Sequence, residues 1–352
     1  MRRLWWLFLV LSLVGIIARL ILSYYYPGNF DLESYRVVVD ILRHYGNVYT
    51  ETARYNYSPI WSWMLLSFDA IARSFGISFE FVIHSFLTLV DIGIAILLIR
   101  ISGKYWVGAL YLINPITILL TGVHGQFDNL AALPLLGAVL LNSRKPGNGW
   151  AIWLLGTISI LIKQITVFAV LALFIHCFKL RKSILLFILS GLIFLASFIS
   201  YLPDGQEGIV SHVLLYSSVI RPYGLPDILP AWPTALFALM MLIVTFASRS
   251  IPLLESLVLS FVSFLVFAPG MSEQYFILPI IFASAIPGWG YAIFTCVTTV
   301  FLMGSQNNLH LPVPSIWMSV WIAASTWLLF FLIKLANRRN YIHSLDTDNL
   351  KS

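Results

Sequence analysis

Apolar runs, broken at short intervals by small polar clusters, fill most of the chain. They cover residues 4–26, 79–99, 105–121, 130–141, 150–162, 165–178, 183–201, 232–247, 252–267, 275–285, 288–303 and 315–335. A bilayer core about 30 Å thick takes about 20 residues of helix, fewer where polar ends thin it. The pattern therefore predicts an all-α polytopic membrane protein with about twelve transmembrane helices, in one integral domain over residues 1–352.

Residues 27–78 differ. Asp31, Glu33, Arg36, Asp40, Arg43, His44, Glu51 and Arg54 make the first part too polar to cross. At helical spacing Leu32, Tyr35, Val39 and Leu42 share one face of 31–45, which suits a helix lying at the interface, ended by Gly46-Asn47. Residues 58–75 are more apolar but carry Asp69 and Arg73. The basic residues decide between crossing and not crossing. Arg2, Arg3, Arg100, Lys104, Arg144, Lys145, Lys179, Arg181, Lys182, Arg249, Lys334, Arg338 and Arg339 all fall on one side only if 58–75 does not cross. Positive-inside sorting then puts both termini in the cytoplasm. It makes 27–78 a first outer loop with interfacial helices and 202–231 a long outer loop. Outer connections also fall at 122–129, 163–164, 268–274 and 304–314, so one face collects most of the remaining polar clusters.

Composition narrows the class. Hydrophobic residues make up 59% of the chain and charged residues 10%, with a mean hydropathy of +0.88, far from a soluble domain. The net charge of +6 is scattered in twos and threes without a basic tract, which points to membrane sorting and not to nucleic acid. Cys177 and Cys296 lie in apolar segments and suggest neither a disulfide framework nor a metal site. The first run is long and lacks a small-x-small cleavage site, so it reads as a retained span.

Chemistry is sought first in Gly122-Val123-His124-Gly125-Gln126-Phe127-Asp128-Asn129, which joins two apolar runs. A carboxylate, an imidazole and two amides are costly in hydrocarbon and belong at a surface or in a wet cavity. His124, Gln126, Asp128 and Asn129 can surround a polyhydroxylated ligand, while Asp128 or Asn129 can equally cap the next helix. Asp31 and Glu33 can act on an acceptor hydroxyl or share a divalent cation from an extended backbone. They can also serve as N-terminal charges on the following helix. Lys163 and Gln164 interrupt an apolar stretch, where a lysine meets an anion such as phosphate or simply marks a tight turn. In 202–231, Arg221 beside Pro222-Tyr223-Gly224 is a second candidate phosphate contact. Glu273, Gln274 and Tyr275 place an acid, an amide and a phenol at an outer helix end, or a capped helix start. Asp91 is an ionisable group within an apolar run, without a partner evident from the sequence. His84 reads as an interfacial packing residue.

Phe30-Asp31-Leu32-Glu33-Ser34-Tyr35, Tyr55-Asn56-Tyr57-Ser58-Pro59-Ile60, Asn114-Pro115 and His124-Gly125-Gln126-Phe127-Asp128-Asn129 together resemble the GT-C superfamily of polytopic glycosyltransferases. Lys163-Gln164, Ala268-Pro269-Gly270 and Glu273-Gln274-Tyr275 fit the same pattern. The chain is most similar to the branch with the catalytic GPI mannosyltransferase subunit, dolichyl-phosphate-glucose glucosyltransferases and bacterial polyprenyl-phosphate-mannose enzymes. The resemblance implies an inverting hexosyltransferase, mannose favoured, acting on the non-cytoplasmic face of a bacterial or archaeal plasma membrane or the endoplasmic reticulum. Its partners would be a lipid-phosphate-sugar donor, a glycan, glycolipid or protein acceptor, and membrane lipid. It implies Asp31 as catalytic base, at an ordinary carboxylate pKa of about 4, with Glu33 assisting. Lys163 would lie near the donor phosphate, with His124, Gln126 and Asp128 around the sugar. A divalent cation at Asp31 and Glu33 is an option in such a site. The rival reading is a transporter or lipid-linked-sugar flippase, whose polar groups would lie near the bilayer midplane.

Overall fold

The computed structural model describes residues 2–26, 28–144, 148–216, 233–306 and 313–349. All regular elements among them are helices. In chain order these are α1 (Arg2–Tyr25), α2 (Phe30–Arg43), α3 (Val48–Glu51), α4 (Pro59–Phe75), α5 (Phe79–Ser102), α6 (Tyr105–Leu112), α7 (Pro115–Gly122), α8 (Asp128–Arg144) and α9 (Gly149–Ile162). There follow α10 (Val167–Cys177), α11 (Leu180–Ala196), α12 (Leu202–Gly208), α13 (Pro233–Ala247), α14 (Leu253–Phe267), α15 (Ile277–Ala283), α16 (Trp289–Gln306) and α17 (Val313–Asn349).

Four helical stretches are long and apolar enough to cross a bilayer, namely Trp5–Tyr25, Phe79–Ser102, Leu180–Leu214 and Trp317–Lys334. A fifth is the pair α6 and α7 if they count as one span bent by 53°. Others, such as α9, α14 and α16, are apolar but no longer than 18 residues. Helix length therefore accounts for four or five crossings among the described residues, where hydropathy alone suggested about twelve. The short helices stop at the polar breaks that interrupt each run.

The bend between α6 and α7 has a local cause. Asn114 caps α7, its Oδ1 accepting from Ile116 N at 3.0 Å, and Pro115 takes the first helical position. The Leu112 carbonyl loses its helical donor and accepts instead from Arg19 Nη1 of α1 at 2.6 Å.

The polar stretch after α1 folds as the sequence suggests, into helices lying against the bundle. Leu32, Tyr35, Val38 and Val39 of α2 are buried, as are Trp61, Leu65 and Phe68 of α4. Arg43 clamps the two helices, its Nε donating to Asp69 Oδ2 at 2.9 Å, and Arg73 reaches the same carboxylate at 2.8 Å. Arg36 pairs with the buried Glu80 of α5.

The described part of 202–231 is not a loop. α11 runs on through a 3-10 turn into α12 and a π-helical turn, Ile209–Leu214. Ile209 and Val213 are buried, and Thr50 Oγ1 donates to Asp204 O at 3.0 Å. A Cβ on Gly208 would sit 1.7 Å from Tyr49 O, so a glycine is needed for this approach. The expectation of a loop came from polar residues and prolines there, and packing against α3 overrides it.

Candidate functional site

The 122–129 segment is held from two sides. Asn29 caps α2, its Oδ1 accepting from Asp31 N and Leu32 N at 3.0 Å each. Its Nδ2 donates to Val123 O and His124 O at 3.1 Å. Gly125 takes φ +65°, and a Cβ there would lie 2.7 Å from Leu32 Cδ2. Only glycine adopts that backbone so close to α2 without strain. The turn therefore fixes where Gln126, Phe127 and Asp128 point.

Gln126 Nε2 donates to Asp31 Oδ2 at 2.5 Å. Asp128 is fully buried and accepts from Lys163 Nζ at 2.5 Å, with Lys163 only 3% exposed. The ammonium lies 4.5 Å from the Phe127 ring centroid, 5.1 Å from Tyr57 and 5.9 Å from Tyr275. Phe127 in turn stacks on Trp61 at 3.9 Å, which fixes the ring and the lysine over it. Lys163 ends α9 in an extended conformation, φ −153°, and the break turns the side chain inward. Asp31, Gln126, Asp128 and Lys163, scattered over more than a hundred residues, thus share one place.

At Lys163 that place borders a cavity of about 290 Å³. Asn56, Tyr57, Lys163, Gln164, Tyr216 and Tyr275 give it a polar end, while Val167, Phe168, Phe237 and Phe264 are apolar wall. Gln164 Nε2 donates to Asn56 O at 2.8 Å. Gln126 Oε1, Asp128 Oδ1 and Gln164 Oε1 are buried with no hydrogen-bond partner among the described residues, and of these three residues Gln164 lines the cavity.

Burial raises the Asp31 carboxyl above the ordinary aspartate value, opposed by the Lys163 charge and the Gln126 hydrogen bond. An unperturbed base was expected at an outer surface. The carboxyl is instead withdrawn from water, because the end of α2 is tied down on the 122–129 segment. Burial, with His84 close by, lowers His124 to about 4, so its imidazole is neutral at pH 7. Its Nδ1 lies 3.5 Å from Glu273 Oε2, a contact between a neutral ring and a carboxylate.

Other expected residues lie elsewhere. Glu33 is exposed and faces Arg54, 3.6 Å away. Two positions apart on a helix point about 200° apart, whereas the shared acid site assumed extended backbone. Asp31 and Glu33 therefore do not fit a common cation, and Glu33 points away from Asp31. Asn129 turns inward, Nδ2 donating to Asp91 Oδ1 at 2.9 Å and Leu87 O at 3.2 Å. Gln274 is buried, its Oε1 accepting from Ser272 Oγ at 3.0 Å. Arg221 lies outside the described residues. His84 is fully buried, its Nδ1 2.6 Å from Thr121 O, and packs inside the bundle.

Two residues escaped the sequence reading. Asn29 had a signal, an N-cap amide one position before a helical run. Arg19, which pairs with Asp91 at 2.9 Å, had one too, a lone charge within the first apolar run. Comparison with protein-family models, curated proteins and solved structures finds no match to this chain.

Proposed function

We propose that the chain is a GT-C-type hexosyltransferase that takes a sugar, mannose favoured, from a polyprenyl-phosphate carrier. The observation that carries this reading is the buried Lys163–Asp128 pair at the polar end of a cavity whose remaining wall is apolar, with Asp31 beside it. An amphiphilic donor suits such a cavity, its phosphate at Lys163 and its chain toward Phe168, Phe237 and Phe264.

In the proposed reaction the acceptor hydroxyl oxygen attacks the anomeric carbon and inverts it. The bond from that carbon to the phosphate oxygen breaks, and the electron pair leaves with the polyprenyl phosphate. Asp31 takes the hydroxyl proton, and its raised pKa makes it a better base than an exposed aspartate. Lys163 keeps one donor on Asp128 and has two more N–H bonds for the departing phosphate. Gln126 holds Asp31 toward the site. The same reading has about twelve crossings by short helices, both termini in the cytoplasm and the cavity on the opposite face. Arg144 Nη2 lies 3.5 Å from Arg100 O, which fits a common basic end for these helices.

The transporter or flippase alternative drew on Asp91 as an ionisable group deep in the bundle. Both Asp91 oxygens have partners in Arg19, Tyr111 and Asn129, and no observation favours that reading. The test is turnover of purified protein with polyprenyl-phosphate-mannose or -glucose. Asp31→Asn should reduce it by about 10²–10⁴-fold. Equal turnover would remove Asp31 from the base role.

A further inference from the structure

Arg19 and Asp91 are both 0% exposed, on α1 and α5. Every branch of the guanidinium is engaged. Nε donates to Asp91 Oδ2 at 2.9 Å and Thr121 Oγ1 at 3.1 Å, Nη1 to Gly15 O and Leu112 O, and Nη2 to Thr117 Oγ1 at 2.7 Å. Of these acceptors Leu112, Thr117 and Thr121 lie along α6 and α7, up to the residue before Gly122. A Cβ on Gly122 would sit 2.9 Å from Arg19 Cα, so α1 and the end of α7 are in direct backbone contact. The other Asp91 oxygen accepts from Tyr111 Oη at 2.5 Å and Asn129 Nδ2 at 2.9 Å. Asn129 follows Asp128, which holds Lys163. The segment carrying Gln126 and Asp128 is therefore gripped at both ends by one ion pair: at Thr117 and Thr121 before it, and at Asn129 after it.

We propose that Arg19 and Asp91 are positioning residues, a buried ion pair that sets the 122–129 segment and, through Asn129, the aim of Asp128 and Lys163 into the cavity. The pair touches neither cavity nor substrate. Its effect on turnover rests on the transferase reading, but its effect on Lys163 does not.

A buried pair that serves stability alone can be exchanged for apolar side chains of similar size with little loss. A pair that aims Asn129 cannot. The experiment compares full-length wild type, the double variant Arg19→Met with Asp91→Leu, and Asn129→Ala, which leaves the ion pair in place. Three quantities are measured in detergent. These are thermal unfolding, acylation of Lys163 by an amine-reactive ester with the exposed Lys104 and Lys182 as references, and turnover with polyprenyl-phosphate-mannose. The expected result is near-normal unfolding for Asn129→Ala, Lys163 acylation raised severalfold in each folded variant, and turnover lowered by about tenfold to a hundredfold. Should the double variant not fold, Asn129→Ala alone decides. Lys163 acylation equal to wild type in a folded variant overturns the proposal, whatever the turnover. Raised acylation with no wild-type turnover on any polyprenyl-phosphate sugar supports the positioning role and sinks the transferase reading instead.

Discussion

Among the described residues two ion pairs are fully buried, and adjacent residues connect to them, Asp128 to Lys163 and Asn129 to Asp91 with Arg19. Within the Arg19–Asp91 pair all three guanidinium nitrogens and both carboxylate oxygens have partners. Around Lys163 and Asp128 the carboxylate keeps one oxygen without a hydrogen-bond partner among the described residues, and the ammonium borders a cavity. The chemistry of the two pairs is alike, but their satisfaction is not. A saturated pair holds structure, whereas an unsaturated pair beside space can take a ligand.

The sharpest way to separate the pairs is to break each one singly. Asp91→Asn strands Arg19, a guanidinium that cannot give up its proton, at 0% exposure, and should cost about 3–5 kcal/mol of stability. Asp128→Asn strands a lysine, which can shed its proton, so its cost should be clearly smaller. Thermal unfolding of the two variants in the same detergent checks the order. A larger loss for Asp128→Asn would mean that the cavity-side pair is the structural one.

The next effect concerns turnover. Lys163→Met keeps the chain length and the packing on Phe127 while deleting the charge, and should lower turnover by about 10²–10³-fold. Steady-state rates with a polyprenyl-phosphate-mannose donor measure it. Retained turnover in a folded Lys163→Met protein would end the assignment of the phosphate to this lysine.

How much of this was readable beforehand differs between the same two regions. The helical runs and the amphipathic placement of α2 are legible because hydropathy and helical period act locally; Leu32, Tyr35 and Val39 are buried where the period puts them. Asp31, Gln126, Asp128 and Lys163 stood out as candidates because polar groups in an apolar chain are conspicuous. The phase of Glu33 was lost to a choice of backbone: extended chain brings Asp31 and Glu33 together, and helix turns them apart. Of the twelve expected crossings, helix length accounts for four or five among the described residues, because the other apolar helices end at polar breaks before they reach that length. Arg19 was passed over although Asp91 was noticed. Two opposite charges in two apolar runs are a pairing signal, but which runs are neighbours is decided by the packing of α1 on α5, α6 and α7.

The smallest effect probes the open pair through its neighbour Asp31. Gln126 donates its N–H to the ionised carboxylate and so favours the charged form, against the burial that raises the pKa. A base works only when ionised, so activity should fall as pH drops through that raised value, above the acid limb of an ordinary aspartate. Gln126→Ala removes a group that lowers the pKa and leaves the carboxyl on the same helix. Its acid limb should therefore move to still higher pH, while turnover at alkaline pH falls only modestly. The pH–rate profiles of wild type and Gln126→Ala give the sign directly. A limb that moved to lower pH would mean that Gln126 meets the neutral carboxylic acid, and Asp31 would then be a proton donor and not the base.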